Sequence, residues 1–263
     1  MNILDKIVLR KREEIEQAKK LVSIKELEQG TYYNRTPYSL KEFMLNPART
    51  GIIAEFKRRS PSKGVINDHS TVIEVTNAYA AAGVSAISVL TDMDFFGGHP
   101  NDLLEARAAN TVPLLRKDFM IDEYQIVEAK ALGADIILLI AAILTPEEIV
   151  AFSKLAKSLG LSVLLEVHNL EELQRSITAD IDAIGVNNRN LADFSVNIQT
   201  SFDLSLSIPD GFLKVSESAI SDVGTINRLK AAGFNGFLIG ENFMKTADPG
   251  AAIRQFTEEL ISV

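Results

Sequence analysis

The sequence predicts an α/β protein, a single (β/α)8 TIM barrel with an N-terminal helical extension. Eight short β-branched or leucine-rich runs recur along the chain with segments of helical spacing between them, as repeated βα units require. Most of the runs lack polar/apolar alternation, which indicates strands buried on both faces. Eight parallel strands that alternate with helices close into a barrel, and 263 residues is an ordinary length for one. A doubly wound open sheet is the alternative.

The predicted strands are read in order as eight segments. Four of them follow a helix end and a glycine within a few residues, in AAGVSAISVL, ALGADIILLI, SLGLSVLLEV and AAGFNGFLIG. Glycine permits the positive φ with which a helix turns promptly into a strand. The eight segments are GIIAEF, SAISVL, VPLLRKD, ADIILLI, LSVLLEV, DAIGVN, FLKVSE and GFLIG.

The segment TPEEIVAFSKLAKSLG shows how the helices between the strands are delimited. Thr145 is a predicted N-cap, Pro146 occupies the first helical position and Glu148 completes a capping box. Gly160 suits the left-handed position just after the helix end.

We expect residues 1–50 to form the helical extension and residues 51–263 to form the barrel, as one structural domain. The opening stretch MNILDKIVLRKREEIEQAKK is amphipathic and charged, and it lacks the uninterrupted apolar core of a signal peptide. One or two extra helices are therefore predicted to cover part of the barrel. Because the extension covers surface that a dimer would otherwise bury, we expect a monomer.

Composition excludes several classes of function. The net charge of −8 disfavours nucleic acid as a partner, since such binding depends on excess Lys and Arg. Without cysteine there is no disulfide, no thiolate metal site and no cysteine nucleophile. His69, His99 and His168 lack metal-ligand spacing, so we expect no metal. The longest apolar run, Ile136 to Leu144, is too short to span a membrane, and we expect a soluble, cytoplasmic protein.

Polar groups at the carboxyl ends of four strands indicate an active site, because TIM barrels carry theirs at that rim. Each group has a structural alternative: a plugging ion pair on strand 1, a solvated end on strand 3, turn-forming residues on strand 6. Their convergence favours function, since four strands would otherwise carry such groups by coincidence. The residues are Glu55 and Lys57 on strand 1, Lys117 on strand 3, Glu166 on strand 5, and Asn187 and Arg189 on strand 6.

The last two strands end in SESA (Ser216 to Ala219) and GEN (Gly240 to Asn242), which offer small residues and backbone N–H groups instead of side-chain chemistry. Loops after strands 7 and 8 are the recurrent phosphate site of these barrels. We therefore expect a small, anionic, phosphorylated substrate.

These segments resemble the indole-3-glycerol phosphate synthase family of tryptophan biosynthesis over nearly the whole chain. The segments that carry the resemblance keep the family's order and spacing; they are IIAEFKRRSPSKG, TDMDFFGG, PLLRKDFMIDEYQI, GADIILLI, LLEVHNLEEL, IGVNNRNL, KVSESAI and FLIGENFM. The resemblance implies a lyase that closes the ring of 1-(2-carboxyphenylamino)-1-deoxyribulose 5-phosphate with loss of CO₂ and water, without a cofactor.

The resemblance also implies roles for the rim residues. Lys117 is the implied general acid that protonates the substrate carbonyl. Lys57 holds the substrate carboxylate and assists proton transfer in the dehydration, and Glu166 is the partner acid/base. Glu55 and Asn187 orient these groups. Further substrate-binding positions are Ser60, Phe119, Arg189 and Leu238, and phosphate-binding positions are Ser218, Ala219, Gly240 and Glu241.

The chain departs from the family pattern in two places. Ala219 stands where a glycine is expected, and a positive φ there costs an alanine on the order of 1 kcal/mol. His99 and Pro100 replace an expected serine after the glycines of FFGGHP. Neither change touches an expected catalytic side chain.

Three rival functions remain. Phosphoribosylanthranilate isomerases are similar barrels with a cysteine and an aspartate as catalytic pair, and this chain has no cysteine. A barrel that only binds a phosphorylated metabolite would not need opposed acids and bases. Nucleic-acid binding through KRRSPSKG is opposed by the net charge and by the absence of interleaved aromatic residues.

Overall fold

A computed structural model describes residues 3–190 and 194–262. Eight parallel strands close into a barrel in chain order, with the first strand paired to both the second and the last. The predicted (β/α)8 architecture is confirmed. The strands are β1 Ile52–Phe56, β2 Ala86–Leu90, β3 Leu114–Lys117, β4 Ile136–Ile140, β5 Ser162–Val167, β6 Ala183–Asn187, β7 Leu213–Glu217 and β8 Gly236–Ile239.

Helices alternate with the strands and form the outer layer. A two-stranded hairpin, Arg59–Ser60 with Gly64–Val65, follows β1. The helices are α1 Ile3–Leu21, α2 Ile24–Leu27, α3 Leu40–Met44, α4 Val72–Ala81, α5 Pro100–Ala109, α6 Glu123–Ala131, α7 Pro146–Ser158, α8 Leu170–Ser176, α9 Gln199–Ser205, α10 Val223–Ala231, α11 Glu241–Met244 and α12 Pro249–Ile261.

The local signals between strands are confirmed. Thr145 caps α7, and Glu148 closes the capping box by accepting from the Thr145 N–H at 2.8 Å. Gly160, which follows that helix, has a φ of +76°. The glycines at the same place in the other three repeats also have positive φ; they are Gly83, Gly133 and Gly233.

The core has two layers because each strand is buried on both sides. One layer packs the outer face of the sheet against the helices. The other fills the barrel, where Ile53, Leu115, Leu164 and Val215 meet. The near-continuous apolar runs of the sequence follow from this double burial.

The described part of the extension, residues 3–50, contains three helices, so the expectation of one or two was wrong. Helices α2 and α3 are too short for a helical period to stand out in the sequence. Helix α1 lies over the carboxyl-terminal mouth, and α3 closes the opposite end, where Leu40 and Met44 pack into the barrel interior. Within residues 3–190 and 194–262, no helix is both long and apolar enough to cross a membrane.

Candidate active site

Strand β1 delivers Glu55 and Lys57 to the mouth of the barrel. Glu55 follows Ile53 on the inner face, as the two-residue period of a strand requires. Lys57 Nζ donates a hydrogen bond of 2.7 Å to Glu55 Oε1. A Cβ on Gly240 would lie 2.6 Å from the same Glu55 oxygen, so the glycine makes room for the carboxylate.

Lys117 lies between two carboxylates at the centre of the mouth. Its Nζ is 3.0 Å from Glu166 Oε2 and 2.8 Å from Glu217 Oε2. Burial by itself lowers the pKa of Lys117, but the charges of Glu166 and Glu217 outweigh it and hold that pKa above its ordinary value. Lys117 is therefore an ammonium group facing the cavity.

Glu217 was missed by the sequence reading, which found no side-chain chemistry at the end of this strand. It follows Leu213 and Val215 on the inner face of β7, and this two-residue period was the available signal. Gly185 on β6 leaves space for it, because a Cβ there would collide with Glu217 Oε1. Burial raises the pKa of Glu217 against the pull of Lys117, and the Glu166 charge raises it further, to about 7.

Glu166 at the end of β5 is held from three sides. Besides Lys117, Asn187 donates from Nδ2 to Glu166 Oε1 at 3.1 Å. Although burial raises the pKa of Glu166, the positive charges of Lys117 and His168 bring it below its ordinary value. Glu166 is thus an ionised carboxylate beside an ammonium group.

His168 was also missed as a site residue, although it stands only two positions after Glu166. Its Nε2 lies 3.3 Å from Glu166 Oε1, an ion-pair contact outside hydrogen-bond geometry, and its Nδ1 lies 3.1 Å from Glu172 Oε2. Burial lowers the pKa of His168, but the two carboxylates outweigh it and raise the pKa to about 10.

Asn187 joins three strands at the rim. While its Nδ2 binds Glu166, its Oδ1 accepts from the Arg189 N–H and the Ser218 hydroxyl, each at 3.0 Å. Arg189 donates from Nη1 to the carbonyl of Phe194 at 3.1 Å. The structure therefore brings together the predicted groups of β5, β6 and β7.

An apolar compartment of about 150 Å³ lies over Lys117 and Glu166. The rings of Phe96 and Phe119 form one wall, with centroids 5.9 Å apart. Helix α1 supplies another wall with Ile3, Leu4 and Ile7. The predicted substrate-binding residues all border this compartment; they are Ser60, Phe119, Arg189 and Leu238.

A polar compartment of about 620 Å³ adjoins the apolar one and shares Lys57 and Leu238 with it. The residues predicted to bind phosphate line it together; they are Ser218, Ala219, Gly240 and Glu241. Lys63 Nζ and Arg189 Nη2 lie 3.9 Å and 3.8 Å from the Glu241 carboxylate.

The two departures from the family pattern have different structural outcomes. Ala219 has a φ of +60° and Ser218 a φ of +66°, so the alanine is in the left-handed region that favours glycine. His99 caps α5, because its Nδ1 accepts from the Asn101 N–H at 3.1 Å while Pro100 takes the first helical position. The histidine thus provides the kind of cap that a serine would.

The basic stretch after β1 is used locally. Arg58 donates to both oxygens of Asp102, at 2.5 and 2.8 Å, and its guanidinium lies 4.9 Å from the centre of the Phe56 ring.

In the part of the chain that the structure describes, no group of three His, Cys, Asp or Glu residues is arranged to hold a metal ion.

Comparisons with solved structures agree with the barrel fold. Solved structures that share the fold include native KDPGal (TM-score 0.57, 12% identity, 80% of this chain and 92% of that chain). Another is mandelate oxidase with benzoyl-formic acid (TM-score 0.61, 16% identity, 81% and 72%). At such identities they show the fold alone.

Curated relatives are much more similar. Indole-3-glycerol phosphate synthase of Bacteroides thetaiotaomicron is 47% identical over 98% of this chain and 99% of its own length. The enzyme of the same name from Carboxydothermus hydrogenoformans is 41% identical over 95% and 97%. The family model described as indole-3-glycerol phosphate synthase matches residues 4–256. The chain therefore belongs to the indole-3-glycerol phosphate synthase family of carboxy-lyases.

Proposed function

We propose that this chain converts 1-(2-carboxyphenylamino)-1-deoxyribulose 5-phosphate into indole-3-glycerol phosphate by general acid–base catalysis. The observation that carries the proposal is the Lys117 ammonium group, buried between Glu166 and Glu217 beneath an apolar compartment. A cation and ionised carboxylates in a partly dry mouth supply the opposed acid and base that the reaction needs.

In the first step, the ring carbon that bears the carboxylate attacks the keto carbon of the sugar chain. A carbon–carbon bond forms, and the carbonyl oxygen takes a proton from Lys117. The positive charge that develops on the anilino nitrogen is stabilised by the ionised Glu166. Loss of CO₂ then restores the aromatic ring.

In the dehydration, the new hydroxyl leaves as water and a proton leaves the adjacent carbon. Lys57 first holds the substrate carboxylate, and it assists protonation of the leaving hydroxyl. Glu166 accepts the carbon-bound proton. Glu55 and Asn187 orient Lys57 and Glu166 through the hydrogen bonds of 2.7 and 3.1 Å.

Glu217 joins this scheme as the group that returns a proton to Lys117. It contacts Lys117 Nζ at 2.8 Å, and its pKa near 7 allows it to exchange protons at neutral pH. Its Oε1 is buried without a hydrogen-bond partner among the described residues, which leaves that oxygen able to hold a proton.

The substrate's two ends fit the two compartments. The aromatic ring lies between Phe119 and Leu238, near Ser60. The phosphate lies in the polar compartment, on the backbone N–H groups of Ser218, Ala219, Gly240 and Glu241. Arg189 and Lys63 supply positive charge there once the Glu241 side chain turns away.

The remaining expectations complete the proposal. The chain acts as a cytoplasmic monomer without a nucleic-acid partner, and its net charge of −8 supports the last point. Residues 1–50 and 51–263 form one structural domain, supported by the contacts of α1 and α3 with opposite ends of the barrel.

The decisive experiment mixes the purified chain with the carboxyphenylamino-deoxyribulose phosphate and follows indole fluorescence. We expect the initial rate of the fluorescence rise to be proportional to enzyme concentration, with release of one CO₂ per indole formed. Folded protein that produces no indole would refute the proposal. Incubation with phosphoribosylanthranilate tests the isomerase alternative, and we expect no turnover.

A further inference from the structure

We propose that Lys11, on the extension helix α1, is a positioning residue that fixes the aromatic wall of the apolar compartment, formed by Phe96 and Phe119. The inference rests on the proposed function, since it concerns how the aromatic ring of the proposed substrate is bound in this compartment. Lys11 itself does not line the compartment.

Lys11 is a buried ammonium group with three carboxylates around it. Its Nζ lies 2.7 Å from Glu14, 3.0 Å from Asp92 and 3.0 Å from Asp118, and its side chain is 4% exposed. A buried charge is costly unless it is paired, so these contacts hold α1 in one place on the rim. Glu14 lies on α1 itself, whereas the two aspartates belong to the barrel.

Each aspartate in turn holds the backbone that carries a phenylalanine. Asp92 Oδ1 accepts from the N–H groups of Phe95 and Phe96, at 2.9 and 3.2 Å. Asp118 Oδ1 accepts from the N–H of Phe119 at 2.8 Å. Lys11 therefore connects two loops, those after β2 and β3, through the residues that shape them.

The two rings so placed, Phe96 and Phe119, are the pair that forms the aromatic wall of the compartment. Ile7 stands one helical turn before Lys11 and lines the same compartment. One ion cluster thus sets both the aromatic wall and the α1 wall of the compartment. Ile7, Phe96 and Phe119 do not border the polar compartment. Loss of Lys11 therefore weakens binding of the substrate's aromatic ring and leaves the affinity for phosphate unchanged.

The test is Lys11→Met, compared with Lys19→Met as a matched control. Lys19 lies on the same helix and pairs with Asp122 at 2.7 Å, away from the cavity. For Lys11→Met we expect the KM of the substrate to rise about 5- to 20-fold, with kcat within about threefold. In Lys11→Met the inhibition constant of inorganic phosphate should stay within about twofold of the wild-type value. In Lys19→Met the KM, the kcat and this inhibition constant should all stay within about twofold of wild type.

A double variant, Lys11→Met with Asp92→Asn, separates positioning from stability. The asparagine keeps the oxygen that Phe95 and Phe96 need and removes the unpaired buried charge, so Tm recovers toward the wild-type value. The link to α1 is still missing, so KM stays raised. The double variant also carries the test if Lys11→Met alone does not fold.

Three results would overturn the inference: a KM no higher than that of Lys19→Met, a KM that recovers together with Tm in the double variant, or a phosphate inhibition constant that rises as much as KM. Wild-type protein without turnover would instead refute the proposed function. Normal wild-type turnover with unchanged KM in the variants refutes this inference alone.

Discussion

Two buried lysines at one rim, Lys11 and Lys117, both pair with carboxylates, but with different ones in different environments. Each ammonium group has carboxylate oxygens within 3.0 Å, and their side chains are 4% and 14% exposed. Asp118, the neighbour of Lys117 in the chain, belongs to the Lys11 cluster on the other side of the strand. The two clusters are therefore built on adjacent residues.

The two clusters differ in how the pKa of a buried carboxyl group is shifted in each. Both oxygens of Asp92 and Asp118 are engaged, and although burial raises the pKa of Asp118, Lys11 and Arg116 lower it to about 2. Glu217 beside Lys117 faces a cavity, and its pKa is raised to about 7. The carboxylates of the Lys11 cluster hold α1 to two loops of the barrel, whereas the raised pKa of Glu217 supports its proposed proton exchange with Lys117.

The largest effect that this comparison predicts belongs to Lys117→Met. Loss of the proposed general acid should lower kcat by about 10³-fold or more, while inorganic phosphate still binds and the circular dichroism spectrum is retained. Steady-state fluorescence kinetics measures the first effect and calorimetry the second. Lys157→Met, which removes a surface pair with Asp182, is the control. Near-wild-type kcat would remove Lys117 from the mechanism and erase the distinction between the clusters.

Glu166→Gln tests a carboxylate partner of Lys117. The amide keeps the shape but cannot accept the proton of the dehydration, so kcat should fall about 10²-fold with a smaller change in KM. Initial rates over a range of substrate concentrations separate the two constants. A change confined to KM would reduce Glu166 to a binding role.

Two buried groups near the rim, His168 and Asp118, should also lose their contributions to stability at opposite ends of the pH scale. The pKa of His168 is raised to about 10, so its contribution to folding is full below pH 6.5 and is lost as pH rises through 10. The pKa of Asp118 is depressed to about 2, so its contribution is full above pH 3.8 and is lost as pH falls through 2.

Urea unfolding at pH 7 and pH 10 measures the alkaline loss, which we expect to be on the order of 1–3 kcal/mol in the wild type. His168→Gln should remove that difference, and because the His168 charge also lowers the pKa of Glu166 and Glu172, part of the stability lost in acid should disappear as well. An equal alkaline loss in wild type and variant would show that His168 is not held by Glu166 and Glu172 in solution.

The smallest effect is expected at Ala219, in the polar compartment outside both clusters. Ala219→Gly relieves the positive φ and should stabilise the protein by about 0.5–1 kcal/mol, with phosphate affinity changed by less than about threefold. Thermal unfolding and phosphate inhibition measure the two. A gain in affinity beyond about tenfold would mean that the alanine strains the site itself.

The sequence predicts the strands and most of the mouth because both follow from local rules. Runs buried on both faces identify the strands, and the two-residue period brings Glu55 and Lys117 to the same rim. The same period in LKVSE marks Glu217, but the small residues around it pointed to phosphate binding and the glutamate was overlooked. No local rule predicts the place on the barrel at which a helix such as α1 docks. Lys11 reads as one more charge on an exposed helix until α1 meets the barrel.

That docking has a consequence for how the chain folds during synthesis. Helix α1 is synthesised before the barrel strands, and its partners come much later: Arg10 pairs with Asp94 across 84 positions and Lys19 with Asp122 across 103. Contacts of such sequence separation form late, because the entropy of closing the intervening loop must be overcome before they stabilise anything. We therefore expect α1 to dock late in folding, so that the apolar compartment is completed only after the barrel strands have assembled.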